Sequence, residues 1–271
     1  MSELLYYDLK QAPGVSPSLA THVYRELGRR IVGGLYREGE LIEDEGRLGE
    51  RYGVSKSVVR ESIKLLVGKG LLEVRRGSGT RVRRRASWHL LDDDVLAWHL
   101  SSDPRPDFLR QLTEFRRIIE PSAAAWAASF GTEAEHAEIE AAQVKMERGE
   151  QSIEEFVLAD AMFHRGILRA AGNELLLSME GVIFSALLSS IRLTNSDPRE
   201  NAGSIPFHRA VLNAIKQRDH EAAEAKMRAH LADTTERLEN AIAGMSWRLR
   251  GDGKKSGGTT GDDRIPPVRG G

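Results

Sequence analysis

The run Asp44-Glu45-Gly46-Arg47-Leu48-Gly49-Glu50-Arg51-Tyr52-Gly53-Val54-Ser55-Lys56-Ser57-Val58-Val59-Arg60-Glu61-Ser62-Ile63-Lys64-Leu65-Leu66 reads as two short helices joined by a tight turn. Gly53 suits the left-handed stop of the first. Ser55 is placed to cap the second, whose Val59, Ile63 and Leu66 share a buried face. The opposite face carries Lys56, Ser57, Arg60 and Lys64, with the three cations at i, i+4 and i+8. Upstream, Ser16-Pro17 starts a helix in which Leu19, Val23, Leu27, Ile31 and Leu35 recur every fourth position, predicting a helix to about Tyr36 that Gly33, Gly34 and Gly39 close. Downstream, Gly68 and Gly70 end the second helix. Leu72 and Val74 then alternate with Glu73 and Arg75, Gly77-Ser78-Gly79 forms a turn, and Val82 lies between Arg81 and Arg83. That pattern predicts a small β-hairpin. Helix, helix-turn-helix and hairpin together make a winged helix-turn-helix, a fold that places its second helix in the major groove of DNA.

The charge distribution agrees. Residues 1–90 carry 17 Lys/Arg against 11 Asp/Glu, and the remaining residues 22 against 29, so a basic front end precedes an acidic body. A polyanion partner for the first domain alone follows. Arg75, Arg76 and Arg81 flank the Gly77 turn, which is small enough to approach the backbone or minor groove. There is no cysteine, no apolar run of the roughly 18 residues that a membrane span needs, and no export signal at the start. A cytoplasmic protein without membrane contact is expected.

From Asp92 onward the periodicity is helical, with segments near 93–101, 106–130, 133–149, 152–171, 174–193, 199–217 and 220–244. The joints are short, so neighbours should pack antiparallel in a bundle. The expected organisation is a mobile segment 1–15, a winged helix-turn-helix over 16–86, a linker and short helix over 87–105, an all-helical domain of six to seven helices over 106–246, and a disordered Gly-rich tail over 247–271.

Asp160 and His164 are four apart and project from one helix face; His208 and His230 fall on two later helices. One carboxylate and three imidazoles converging in a bundle core would hold a divalent metal, with imidazole suiting Zn, Ni, Fe or Mn. Spacing alone favours reading them as separate surface or core residues. Arg116 and Glu120 form an i, i+4 pair that spacing alone reads as a surface ion pair. The other histidines, His22, His89, His99, His136 and His220, are expected on the surface or at caps, and Trp126 and Phe163 in the core.

Gly39-Glu40-Leu41-Ile42, Asp44-Glu45, Leu48-Gly49, Tyr52 to Lys56, Val59-Arg60-Glu61-Ser62, Gly70-Leu71-Leu72, Gly77 and Gly79 resemble the DNA-binding domain of GntR-family regulators. The chain departs from that family's pattern where Glu43 replaces a proline, where Gly46 stands at the place of a base-contacting arginine of some members, and where Lys56 replaces the turn arginine. The last swap keeps the charge and loses the bidentate fork. The C-terminal half resembles the FCD domain of the FadR subfamily. That resemblance implies that Asp160, His164, His208 and His230 are metal ligands. It also implies that Arg116 grips an effector carboxylate, with Glu120 one turn on along the same face; Arg192 is a further candidate lining residue, equally readable as an exposed arginine. Trp88 to Trp98 resembles the linker and extra helix of members that answer to sugar acids. The resemblance therefore implies a homodimeric repressor that binds an inverted-repeat operator and is governed by a small carboxylate effector. A metal-dependent hydrolase is the rival from another class, although no His-Glu-x-x-His motif is present. A metal-free regulator of the acyl-CoA-binding type is the rival within the family.

Overall fold

The structure, a computed structural model, describes residues 6–7, 18–101, 105–148, 152–194 and 203–252, with the side chains of 101, 190–194 and 245–252 left aside. Ser16, Pro17, the side chain of Arg192 and residues 253–271 lie outside the described residues.

The first helix, α1 (Leu19–Val32), is capped by Ser18, whose hydroxyl accepts the Thr21 amide at 3.1 Å. Val23, Leu27 and Ile31 are buried, but Leu19 and Leu35 are exposed. The helix stops at Gly33, short of the expected Tyr36, so Leu35 has already left the periodic face. Helix α2 (Glu45–Tyr52) begins on Asp44, whose carboxylate accepts the amides of Gly46 and Arg47, and ends at Gly53 with φ 65°. Helix α3 (Lys56–Gly68) packs Val59, Ile63 and Leu66 inward. Ser55 holds the N-cap position, yet its hydroxyl pairs with that of Ser57 at 2.8 Å rather than with the helix backbone. Strands β1 (Leu72–Arg75) and β2 (Gly79–Val82) pair antiparallel with Leu72 opposite Val82 and Arg75 opposite Gly79, and Leu41 adds a bridge to Arg81. Val74 shares the face of Leu72 but is exposed, since only the Leu72–Val82 end of the hairpin meets the core.

The rest is helical: α4 (Asp93–Ser101), α5 (Pro106–Phe130), α6 (Glu133–Met146), α7 (Ile153–Ala170), α8 (Glu174–Ser178), α9 (Glu180–Thr194), α10 (Ile205–Lys216) and α11 (His220–Asp252). The helix expected over 174–193 is two helices. The Ser178 hydroxyl donates to the Leu175 carbonyl at 2.7 Å, and such side-chain bonding competes with the helical ladder. The last helix runs past 247, into the stretch expected to be disordered. A lone Gly244 costs only about 1 kcal/mol in a helix, and Arg248-Leu249-Arg250 are strong helix formers.

Two hydrophobic cores result, and α4 belongs to both. Val95 and Trp98 pack with Leu27, Leu66 and Leu72 of the winged helix. Leu96, Ala97 and Leu100 pack with Phe163, Ile183 and Leu212 of the helical body. The start of α4 is tied by polar bonds. Tyr24 donates to Asp94 at 2.6 Å, and Lys69 lies 2.6 Å from Asp92 and 2.9 Å from Asp94. Tyr6 and Tyr7, in the segment expected to be mobile, donate to Asp93 and Asp94 at 2.7 Å each, and Tyr6 is fully buried. Two isolated aromatics carry no periodicity, so only tertiary packing reveals their place.

Candidate DNA-reading surface and metal centre

On α3 the side chains of Lys56, Ser57, Arg60 and Lys64 are exposed on one face, as are Arg75, Arg76 and Gly77 at the hairpin. Arg81 is half-buried and donates to the Gly39 carbonyl at 3.0 Å, tying the wing to the chain before α2. Arg75 pairs with Glu73 at 2.9 Å. Arg60 donates from Nε and Nη2 to the two carboxylate oxygens of Glu45, at 3.0 and 2.6 Å. Hydrogen bonding from Arg60 holds the Glu45 carboxyl below its ordinary range. No local pattern marks Glu45 as the partner of Arg60: it lies 15 residues away on another helix, and only the crossing of α2 and α3 brings the two together.

In the helical body, α7 supplies Asp160 and His164, α10 supplies His208, and α11 supplies His230. All three imidazoles are buried, and one nitrogen of each lies within 4.8 Å of the others. The rings of His208 and His230 are 4.1 Å apart at their centroids, and those of His164 and His230 are 5.4 Å apart and nearly parallel. Asp160 Oδ1 lies 2.9 Å from His208 Nε2 and 3.2 Å from His164 Nε2. The outer nitrogen of one ring is engaged, His208 Nδ1 meeting the Ser204 carbonyl at 2.9 Å, while His164 Nδ1 lies 2.7 Å from Glu120 Oε2 as an ion-pair contact rather than an aligned hydrogen bond. With His208 Nδ1 donating, a bond from its Nε2 to Asp160 requires a second proton on that ring, and a metal ion at the same place would take that proton's role. A lone pair facing a carboxylate is repulsive unless a cation or proton lies between. His230 Nδ1 has no hydrogen-bond partner although buried.

The electrostatics tell the same story. Burial works against the Asp160 carboxylate, but the charge of His208 and hydrogen bonds from both histidines outweigh it and hold the group well below its ordinary range. Burial lowers His164, and the Glu120 charge with bonds to Asp160 and Glu120 more than reverses this. His230 is pushed well down by burial and by the neighbouring His208 and His164. Three imidazole nitrogens within 4.8 Å of one another, with Asp160 Oδ1 beside two of them and an orphaned buried Nδ1 on His230, fit a divalent metal.

Arg116 and Glu120 are not a surface pair. Both are about 1% exposed, and Arg116 Nε donates to Glu120 Oε1 at 2.5 Å while its Nη2 lies 3.3 Å from His164 Nε2. Burial opposes the Glu120 carboxylate, but the Arg116 charge and His164 bring it down to about 2. The structure therefore gathers Asp160, His164, His208, His230, Arg116 and Glu120 in one place. Of the histidines expected at the surface, His22, His89 and His220 are exposed, while His99 and His136 are buried. Each buried ring is held by a backbone carbonyl, His99 by Val95 and His136 by Ala127. Phe163 is fully buried, edge-on to His164 and His208, whereas Trp126 is 40% exposed and not a core residue.

A basic helix-turn-helix face and wing joined to a helical body with a closed polar centre define a DNA-binding regulator with a built-in sensor domain. Residues 19–82 match the model described as bacterial regulatory proteins, gntR family, and residues 111–233 match the FCD domain. The chain is 33% identical over 215 residues to the galactonate operon transcriptional repressor of Escherichia coli K12, covering 79% of this chain and 93% of that one. It is 28% identical over 227 residues to the Glc operon transcriptional activator of the same organism, covering 80% and 88%. It is 25% identical over 260 residues to the transcriptional repressor NanR of Klebsiella aerogenes, covering 94% and 95%. A solved structure described as Lar, which controls the agr system of Listeria monocytogenes, shares the fold with a TM-score of 0.60 at 20% identity, covering 84% of this chain and 99% of that one. The chain belongs to the gntR family of bacterial regulatory proteins and carries an FCD domain. It is a transcriptional regulator and not an enzyme, which sets aside the hydrolase reading. No helix among the described residues is long and apolar enough to cross a membrane.

Proposed function

We propose that this regulator is a cytoplasmic repressor whose hold on its operator is released by a small sugar acid or hydroxycarboxylate at a divalent metal in the helical body. Asp160, His164, His208 and His230 hold the ion, zinc being the first candidate and nickel, iron or manganese the others. A bound metal of this kind supplies coordination positions for the oxygens of a carboxylate or hydroxyl. Arg116 offsets the effector's negative charge, and Glu120 fixes both Arg116 and the ring of His164. Two chains pair so that their α3 helices meet an inverted-repeat operator in successive major-groove turns. Ser55, Lys56, Ser57, Arg60, Lys64, Arg75, Arg76, Gly77 and Arg81 form the contact surface.

The convergence of three buried imidazoles and Asp160 beside a buried arginine carries this reading. A repressor of a galactonate operon among the relatives supports the sugar-acid class, and that protein with the repressor NanR supports repression, against the activator of the Glc operon. The test is metal analysis of the purified protein with a thermal-shift screen of sugar acids, with and without chelator. The native chain should carry the metal, and His208→Ala and His230→Ala should lose it. The true effector should stabilise only the loaded protein, by about 2.7 kcal/mol at a hundredfold excess over its dissociation constant. Stabilisation of stripped protein by sugar acids would remove the metal from the scheme. Stabilisation by acyl-CoA instead would replace it with the metal-free reading.

A further inference from the structure

The cations on the outward face of α3 are not equivalent. Lys56 and Lys64 are compact ammonium groups on flexible stems. Arg60 is gripped through two hydrogen bonds by Glu45, from the first turn of α2. The pair stays open to solvent, with Arg60 at 60% and Glu45 at 33% side-chain exposure, so it adds little to folding stability. A carboxylate next to duplex phosphates also opposes binding by repulsion. Its presence at the reading face therefore calls for a role other than stability or affinity.

The geometry of the grip suggests one. A guanidinium is a planar fork with five N–H donors. Glu45 occupies the side edge, made by Nε and one hydrogen of Nη2. The end edge, made by Nη1 and the other hydrogen of Nη2, is left pointing along the side-chain axis. Two parallel donors on that edge match O6 and N7 of guanine in the major groove. A side chain with many rotamers is thereby presented in one orientation.

Gly46 sharpens the case. A Cβ there would lie 3.1 Å from Asp44 Oδ1 and 3.5 Å from Lys56 Cε, so the missing side chain leaves room for Lys56 to lie over the start of α2. The first turn of α2 thus brings no base-reading side chain of its own at this position, and what it brings instead is Glu45.

We propose that Glu45 is a positioning residue that holds Arg60 for end-on reading of one guanine in each operator half-site. The inference rests on α3 being the DNA-reading helix. The test uses the full-length protein, an operator duplex selected by that protein from a random-sequence pool, and a random-sequence competitor duplex. In the native protein, exchanging the contacted G·C pair for A·T should weaken binding on the order of tenfold. Glu45→Gln should flatten the preference at that pair while leaving binding to the competitor equal or tighter, with an unchanged melting temperature. In an Arg60→Ala background, Glu45→Gln should have no further effect at that pair. Three results would overturn the proposal: the preference survives Glu45→Gln; all duplexes tighten by the same factor, leaving only charge repulsion; or all weaken together with a lowered melting temperature, leaving only a structural role. If Arg60→Ala itself spares operator binding, the reading of α3 fails first and the proposal falls with it.

Discussion

Alanine at Gly28 and alanine at Gly68 should move stability in opposite directions. Gly28 lies within α1 and faces Trp98 of α4. A Cβ on it would come within 2.5 Å of Cη2 and Cζ3 and 2.7 Å of Cζ2 of that ring. Carbon atoms in contact prefer about 3.5–4.0 Å, so the indole would have to withdraw by about 1 Å. Trp98 has little freedom to do so. It is fully buried and lies edge-on to Tyr24, with ring centroids 5.1 Å apart, and Tyr24 is itself bonded to Asp94. Overpacking of this kind costs about 1–3 kcal/mol, and alanine returns about 1 kcal/mol of helix preference, leaving a net loss of up to about 2 kcal/mol.

Gly68 closes α3, and a Cβ there meets nothing within 4 Å. Alanine at Gly68 keeps the helix preference without the clash and should gain up to about 1 kcal/mol. Thermal melts followed by circular dichroism resolve this, since 1 kcal/mol moves the midpoint by roughly 2–4 °C in a domain of this size class. If Gly28→Ala raised the midpoint as Gly68→Ala does, Trp98 would not be wedged against α1, and α4 would not be shared between the cores.

Three further outcomes follow from buried polar groups and caps. Glu120→Ala leaves the Arg116 guanidinium buried and without its carboxylate, and should cost about 3–5 kcal/mol in urea denaturation of chelator-treated protein; a loss below about 1 kcal/mol would mean that water reaches Arg116. Burial, helped by the charges of Arg85 and Arg105, lowers His99 to about 4 against the bond to Val95. Because the folded value lies below the unfolded one, its contribution is complete above about pH 6.5 and is lost as pH falls toward 4, by up to about 3 kcal/mol; in His99→Gln that part of the pH dependence of stability should vanish, and an unchanged profile would count against the burial of His99. Thr132 accepts the Glu135 amide while Glu135 reaches back to the Thr132 amide, so Thr132→Ala should lose about 1 kcal/mol, read by the same denaturation curves.

Much of the fold is written locally. The step-of-four pattern around Val23, Leu27 and Ile31, Asp44 before α2, and the glycines of the Gly77 turn each act within a few residues, so their elements can be read from the chain alone. The errors fall where a local signal was outvoted. Leu35 fits the periodicity but lies beyond the stop at Gly33. Ser178 breaks a helix that hydrophobicity alone would continue. Gly244 fails to break one, because strong helix formers follow. At the polar centre, the spacing of Asp160 and His164 puts them on one shared face, but their meeting with His208 and His230 depends on how three helices pack. The burial of Arg116 is likewise tertiary, which is why an i, i+4 pair that reads as superficial turns out to sit at the heart of the body.

The placement of α4 constrains how sensor and DNA-binding head can communicate. The head holds this helix by directional bonds: Lys69 to Asp92 and Asp94, Tyr24 to Asp94, the His89 amide to the Lys69 carbonyl, and Arg85 beside His99. Apart from Tyr6, which packs in the body's core and donates to Asp93, the body holds it through apolar contacts of Leu96, Ala97 and Leu100, which include a packing against α9. Breaking the first set would leave buried or half-buried charges unpaired, whereas sliding along the second exchanges one apolar contact for another. Packed interfaces of this kind pass between discrete arrangements rather than deforming continuously. A ligand in the body can shift that choice only by the difference in its affinity for the two arrangements. Helix α9 also packs on α5 and α7, which carry Arg116, Glu120, Asp160 and His164. The cheaper motion therefore moves α4 with the head across α9, placing the moving surface next to the helices that build the polar centre.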